Sequence, residues 1–176
     1  EMATIYEARH EQHGARCALK IMQQNINSEE MATRFQREFN ALSEIMHPNV
    51  LKVTENGIHN GRPFFAMEFL DGRILKDEIE YLKNLPPTQR YEQVEQILIQ
   101  LAQALCHIHK LGWIHRDVTP SNIMVLKDKG IKLMDFGVIK IPGQELTMAG
   151  EVIGTVAYIS PEQIRGGSID ARADLY

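Results

Sequence analysis

Two short segments near the middle of the chain hold the side chains best suited to catalysis. The octet His115 to Asn122 places Asp117 and Asn122 in one loop, and Asp135 follows in an Asp-Phe-Gly triplet. A carboxylate such as that of Asp117 is suited to accept a proton from an attacking hydroxyl group. Asn122 and Asp135 offer oxygen atoms, the ligands that Mg²⁺ prefers. Together these groups predict metal-assisted phosphoryl transfer.

Charge neutralisation is the second requirement of that chemistry, because a triphosphate carries several negative charges. Lys20 lies in a β-prone run and offers a compact positive charge. Glu38, in a predicted helix, could orient that lysine by ion pairing. Arg116 stands beside Asp117 and could receive a phosphate group on a nearby loop.

The composition describes an ordinary globular chain. Of 176 residues, 44% are hydrophobic and 24% are charged, and the net charge of -4 argues against a nucleic-acid partner. The longest apolar stretch, 64–70, is too short to cross a bilayer and contains Glu68, so no membrane segment is expected within this chain. Cys17 and Cys106 lack the spacing of a zinc site or a disulfide framework, and they predict reduced thiols in the cytoplasm.

Residues 1–70 predict a small sheet with one helix. The predicted strands are Thr4–Ala8, Ala15–Met22, Val50–Val53 and Phe64–Phe69, the last two forming a hairpin across Asn56–Gly61. A helix is predicted from Ser28 to Met46, where apolar residues repeat at helical spacing, and Pro48 lies just beyond its end.

Asp71-Gly72 breaks this pattern and marks the expected boundary with a largely helical unit in residues 71–176. The predicted elements of that unit are the helices Ile74–Leu85 and Thr88–Leu111, the strands Ile123–Leu126 and Ile131–Met134, and a long loop from Gly137 to Ser160. The longer helix carries an apolar stripe that includes Leu101 and Ile108, and Gly112 is suited to end it.

The motifs, taken in order, resemble those of serine/threonine protein kinases, and the residues within each motif are close to those of bacterial members. The matching segments are Ala18–Ile21, His47–Val50, Phe65–Leu70, His115–Asn122, Asp135–Gly137 and Ser160–Glu162. The resemblance covers essentially the whole chain and implies an α+β, bilobal protein-kinase fold. Residues 1–70 would form the N-lobe, with an antiparallel sheet and one helix, and residues 71–176 a partial, mainly helical C-lobe.

The resemblance also implies a role for each matched residue. Asp117 would be the catalytic base or would orient the acceptor hydroxyl, and Lys20 and Glu38 would clamp the phosphates. Mg²⁺, or alternatively Mn²⁺, would bind Asn122 and Asp135. The residues in contact with ATP would be Ile5, Ala18, Lys20, Met67, Glu68, Leu70 and Met124. The activation and substrate loop would use Thr147, Thr155 and Glu162, with Thr147 as the phosphorylation site and with Arg116 and Phe136 as regulatory residues.

Two positions depart from the family pattern. Ala3 stands where the last glycine of the phosphate-covering loop is usual, and Thr119 replaces a lysine that stabilises the transferring phosphoryl group.

The two ends of the sequence indicate an incomplete domain. Asp174 resembles the start of the long helix that anchors the catalytic loop, which is the octet His115 to Asn122. The sequence also lacks an initiator Met and a helix-ending signal after Tyr176. We therefore expect a domain truncated at both ends, with the Leu101/Ile108 face uncovered and with weak or no activity when isolated.

The predicted function is an ATP-dependent kinase that transfers the γ-phosphoryl group to a Ser or Thr hydroxyl of a protein. It would act in the cytoplasm, and any membrane anchor of the parent protein would lie outside this segment. Two alternatives remain open. Ala3 and Thr119 suggest a pseudokinase, a nucleotide-binding or partner-binding scaffold without catalysis. A small-molecule kinase of the aminoglycoside type shares the Asp, Asn, Asp order, although Ser160-Pro161-Glu162 favours a protein substrate.

Overall fold

The computed structural model describes residues 3–12, 14–23, 29–135, 156–166 and 169–176. The chain divides into two compact units, Glu1–Asp71 and Gly72–Tyr176. Gly72 begins the second unit at a position that only glycine fits, because a Cβ atom there would lie 2.2 Å from the carbonyl oxygen of Val125. In the described ranges, none of the helices has the apolar length needed to cross a membrane.

The first unit is an antiparallel sheet with one helix. Its strands are β1 (Ala3–Arg9), β2 (Arg16–Met22), β3 (Val53–His59) and β4 (Arg62–Glu68), in the spatial order β1-β2-β4-β3, and its helix is α1 (Glu29–Glu44). Phe35 and Phe39 of α1 contact Phe65 of β4, with ring centroids 4.6 and 6.1 Å apart. These aromatic contacts fasten the helix to the sheet, and Phe35 and Phe65 are buried.

The hairpin of this unit differs from its prediction. The sequence placed the first strand at Val50–Val53 and the turn at Asn56–Gly61, whereas β3 runs from Val53 to His59. The turn is the pair Asn60-Gly61, and both residues have the positive φ angles, 52° and 76°, of a tight two-residue hairpin. The chain contains two Asn-Gly pairs, and the first, which begins at Asn56, lies inside the strand. Predicted helix α1 also ends earlier than expected, and Met46 beyond it is exposed.

The second unit combines helices with a three-stranded sheet. Its elements are β5 (Gly72–Ile74), α2 (Leu75–Lys83), α3 (Pro87–Lys110), β6 (Ile123–Leu126), β7 (Ile131–Leu133) and α4 (Pro161–Arg165), and the sheet order is β5-β6-β7. Strand β5 was not predicted, and it exists by pairing with β6. Helix α3 begins at Pro87, one residue before the predicted start at Thr88. Proline is tolerated there because the first turn of a helix leaves its N–H groups without partners in the helix.

Helix α3 ends as the sequence predicts and leads directly into the octet. Gly112 has φ +80°, and the amides of Gly112 and Trp113 donate to the carbonyls of His109 and Ile108, which is a Schellman motif. The apolar stripe of the helix is split, since Ile108 is fully buried while Leu98 is 57% exposed. The expectation of an uncovered face is therefore wrong for Ile108, which packs inside the second unit.

Candidate active site

Asp117 and Asn122 are joined by a hydrogen bond within the octet. The side-chain nitrogen of Asn122 donates to the Asp117 carboxylate at 2.8 Å and to the Asp117 carbonyl at 2.9 Å. Because both partners can only accept, the amide nitrogen of Asn122 must face them. The amide oxygen of Asn122 is then the atom that would bind a metal ion. The predicted base and the predicted metal ligand are thus brought together.

Asp135 is connected to the same loop through the residue before it. The amide of Met134 donates to the carbonyl of Asn122 at 2.8 Å, where β7 ends. Asp135 itself has φ +50°, a left-handed conformation that aspartate tolerates better than most residues. The residue next to Asp135 is therefore hydrogen-bonded to Asn122, and the binding of a metal ion by Asn122 and Asp135 stays a prediction.

His115 is a buried structural residue of this loop. Its Nε2 lies 2.8 Å from the Met134 carbonyl, which requires a donor, and its Nδ1 accepts the amide of Asp117 at 3.3 Å. Burial lowers the pKa of His115 below its ordinary value of 6.5, and this outweighs the hydrogen bond to Met134 and the nearby carboxylates, which raise it. The neutral imidazole, with its proton on Nε2, satisfies both contacts.

Asp174 holds the beginning of the loop from a distant part of the sequence. Its carboxylate accepts the amides of His115 at 2.8 Å and Arg116 at 2.7 Å, and it lies 2.7 Å from Nε2 of His109. Asp174 is buried in a 3₁₀ turn, Ala171–Leu175. The sequence resemblance gave the anchoring of this loop to the helix that would begin at Asp174, and the contacts seen here come from the Asp174 carboxylate.

Thr119 and Met124 lie on either side of Asn122. Thr119 is buried, and its carbonyl accepts the amide of Asn122 at 2.9 Å. Its side chain occupies the position at which the family usually has a lysine, so the loop carries no positive charge there. Met124 is partly buried in β6, where it pairs with Ile74 and Lys132 on the neighbouring strands.

In the first unit, four residues expected to contact ATP share one face of the sheet. Ala18 and Lys20 are two apart on β2, so their side chains project from the same face. Ile5 on β1 lies opposite Lys20, and Met67 on β4 lies opposite Ala18. Directly opposite residues of antiparallel strands also share a face. The strand register therefore places these four side chains on one face of the sheet, and their contact with ATP stays a prediction.

The remaining ATP-binding candidates follow on β4 and beyond it. The Glu68 amide donates to the Lys52 carbonyl at 3.0 Å, and the Glu68 carboxylate accepts the Lys52 amide at 2.8 Å. These bonds fix the end of β4, and Leu70 lies two residues further on, partly buried.

Comparison with known proteins identifies the family. The family model described as "Protein kinase domain" matches residues 1–176. The chain belongs to the protein kinase family. Its kinase relatives include a probable serine/threonine-protein kinase of Clostridium perfringens, 37% identical over 99% of this chain and 25% of the relative. Another is the DNA damage-responsive serine/threonine-protein kinase of Deinococcus radiodurans, 38% identical over 99% of this chain and 26% of the relative.

Solved kinase structures agree with this assignment. The PknI kinase domain of Mycobacterium tuberculosis matches with a TM-score of 0.70 and 29% identity, over 98% of this chain and 64% of that one. The fold is therefore the α+β, bilobal protein-kinase fold. The chain spans about a quarter of the length of the curated relatives it matches.

Several residues predicted for the kinase site lie outside the described part of the structure. These are Phe136, Thr147 and Thr155. Glu38 lies in α1, but its side chain is also outside the described residues, so its ion pair with Lys20 stays a prediction. Glu162 lies in the first turn of α4, and it helps to raise the pKa of Arg172, after the larger effect of the hydrogen bond from Arg172 to Asp170.

Two further polar contacts with the octet, or with the residue that holds it, were not predicted from the sequence. His109 contacts Asp174, and Gln163 donates to the carbonyl of Arg116 at 2.9 Å. The Ser160-Pro161-Glu162-Gln163 segment has the Ser-x-x-Gln pattern of a capping box, which would have indicated a role for Gln163 at the start of α4. No local pattern would have indicated its bond to Arg116.

Proposed function

We propose that the protein containing this chain is an ATP-dependent serine/threonine protein kinase. The observation that carries this proposal is the bond between Asn122 and the Asp117 carboxylate, in a loop linked through Met134 to Asp135. This arrangement bonds a proton acceptor to one oxygen ligand, Asn122, and bonds the residue next to the second, Asp135, to the same loop, and phosphoryl transfer requires these groups. The relatives named as serine/threonine-protein kinases support the same reaction.

In this proposal Asp117 orients the acceptor hydroxyl and receives its proton. Lys20, oriented by Glu38, holds the phosphates of ATP. Asn122 and Asp135 fit a divalent metal, because an amide oxygen and a carboxylate are hard oxygen ligands, and they would hold Mg²⁺, with Mn²⁺ as the alternative. A bound Mg²⁺ supplies positive charge that neutralises the phosphate oxygens.

The nucleotide and substrate contacts follow from the family resemblance. The adenine base would contact Ile5, Ala18, Met67, Glu68, Leu70 and Met124. Thr155 and Glu162 would position a protein with a Ser or Thr acceptor. Thr147 would be phosphorylated, with Arg116 as the receiving cation and Phe136 as a regulatory residue. The first unit would be the N-lobe and the second unit part of the C-lobe.

Dependence on ATP supports a cytoplasmic site of action, with any membrane anchor outside these residues. A net charge of -4 and the lack of a dense basic run in the sequence support a protein substrate over a nucleic acid.

Phosphate transfer by the full-length protein tests the proposal. The wild type, Lys20→Met and Asp117→Asn would be incubated with Mg²⁺ and γ-labelled ATP, with casein as a protein acceptor and kanamycin as a small one. We expect label on Ser and Thr of protein in the wild type alone. Equal label in all three samples would exclude the assignment of these residues.

The same experiment separates the alternatives. Label on kanamycin and none on protein would indicate a small-molecule kinase. ATP binding by the wild type without any transfer would indicate a pseudokinase, the reading that Thr119 favours because it lacks the charge of the usual lysine.

A further inference from the structure

The backbone at Arg116 is held in an unusual conformation between His115 and Asp117. Arg116 has φ +67°, in the left-handed region that residues with a Cβ atom rarely adopt. Its amide donates to the Asp174 carboxylate at 2.7 Å, and its carbonyl accepts from the side chain of Gln163 at 2.9 Å. A strained backbone conformation persists only where its surroundings hold it. Here both the amide and the carbonyl of Arg116 are hydrogen-bonded.

Gln163 reaches this carbonyl from α4, 47 residues later in the chain. Its side-chain oxygen accepts the amide of Ser160 at 3.0 Å, and its side-chain nitrogen donates to Arg116. Ser160 is fully buried, which fixes the start of α4. The side-chain amide of Gln163 therefore connects the start of α4 to the catalytic loop, because both its oxygen and its nitrogen are hydrogen-bonded.

The peptide group between Arg116 and Asp117 is bonded on both sides. Its carbonyl accepts from Gln163 at 2.9 Å, and its N–H group donates to Nδ1 of His115 at 3.3 Å. The plane of this peptide group sets the direction in which the Asp117 side chain leaves the backbone. The His115 contact is long for a hydrogen bond, so the Gln163 contact is the firmer of the two.

We propose that Gln163 is a positioning residue that orients the Asp117 carboxylate by holding the Arg116–Asp117 peptide group. The proposal rests on the kinase function proposed above. It also means that the segment around Glu162, which would position the substrate, is connected directly to the catalytic aspartate. A change at the start of α4 then alters the rate of phosphoryl transfer without altering the ATP contacts of the first unit.

Gln163→Glu is the most informative variant. A carboxylate keeps an acceptor for the Ser160 amide, but it replaces the donor to Arg116 with an oxygen that repels the carbonyl. Gln163→Met removes both bonds at similar volume. Gln96→Glu is the matched control, because Gln96 is exposed on α3.

The assay uses the full-length protein and measures kcat and KM for ATP, with kcat expressed per molecule competent to bind an ATP analogue. We expect Gln163→Glu and Gln163→Met to lower kcat about tenfold, with KM for ATP within about twofold of wild type. A residue that only stabilised the fold would reduce the number of competent molecules and leave kcat per competent molecule unchanged. That second result, or an equal loss in Gln96→Glu, would overturn the proposal.

Hydrogen exchange provides a readout that does not depend on activity. We expect the peptide covering residues 115–118 to exchange about tenfold faster in Gln163→Glu than in wild type, while strand β7 is unchanged. If the wild type transfers no phosphate, the kinase function fails, and this measurement still tests the positioning role. Unchanged exchange at 115–118 would refute it.

Discussion

Removing the Asp174 carboxylate should release the start of the catalytic loop. Asp174→Ala deletes the acceptor for the amides of His115 and Arg116 and for the His109 ring, all at 2.7 or 2.8 Å. The Asp174 side chain is fully buried, so its removal leaves a cavity beside three donors that have lost this acceptor. Hydrogen bonds to a charged group contribute about 1.5–3 kcal/mol each, and buried donors left without a partner cost about 1–3 kcal/mol.

The size of the effect follows from how deeply each donor is buried. The His115 residue is fully buried, whereas Arg116 is exposed and the His109 side chain is 19% exposed, so water can partly replace the acceptor at those two. We therefore expect Asp174→Ala to destabilise the loop by about 3–5 kcal/mol, the cost typical of breaking a buried charged contact. Asp174→Asn keeps one acceptor oxygen, but its side-chain nitrogen would face an N–H group that now donates to Asp174. We expect this variant to destabilise the loop by about 1–3 kcal/mol.

Hydrogen exchange at residues 115 and 116 of the full-length protein measures this directly. Since about 1.4 kcal/mol is a factor of ten, Asp174→Ala should speed exchange at least about 100-fold, and Asp174→Asn about 5- to 150-fold. Asp170→Asn is the matched control, because Asp170 caps the same turn and is exposed. Wild-type exchange rates at both amides in Asp174→Ala would refute the anchoring role.

Three further changes test other parts of the molecule. Burial lowers the pKa of His115 below 6.5, so the imidazole binds a proton more readily in the unfolded chain than in the folded one. We therefore expect the free energy of unfolding to fall, by at most about 1.4 kcal/mol per pH unit, as the pH drops below about 6.5. Gly57→Ala would place a Cβ atom 2.6 Å from the Phe64 ring, and we expect a loss of about 1–3 kcal/mol in denaturant unfolding. Thr119→Lys supplies a charge for the transferring phosphoryl group, and we expect turnover to be kept or raised, by up to about 10²-fold.

Each of these changes has a specific control. His115→Gln keeps a donor for the Met134 carbonyl and should flatten the pH dependence, so an unchanged slope in that variant would mean that another group titrates. Gly130→Ala meets only side-chain atoms, the nearest at 3.1 Å, and should be milder than Gly57→Ala. A large fall in turnover for Thr119→Lys would show that the loop is built around threonine.

Local patterns predicted the elements that depend on local physics. The bounds of β6 follow from an apolar run ended by a turn, and Gly112 ends α3 because glycine adopts positive φ readily. Strand β5 could not be predicted, since three residues carry no periodicity and the strand depends on close approach to β6. The hairpin was misplaced because either of the two Asn-Gly pairs could form its turn.

The same distinction applies to the site. Asp117 and Asn122 are five residues apart, and the motif that contains them indicated their role. His109 and Gln163 act through contacts with residues 65 and 47 positions away, and no spacing rule connects such pairs. Asp174 was indicated only by resemblance, and it lies in the 3₁₀ turn Ala171–Leu175.

The long separation between Asp174 and the loop that it anchors also sets an order of events during protein synthesis. Asp174 is added 59 residues after His115 and 58 after Arg116. At about 5–20 residues per second, the ribosome needs roughly 3–12 s to cover that interval. During this time the amides of His115 and Arg116 lack their acceptor. The hydrogen bonds from His115 and Arg116 to Asp174 can therefore form only after translation has passed Asp174.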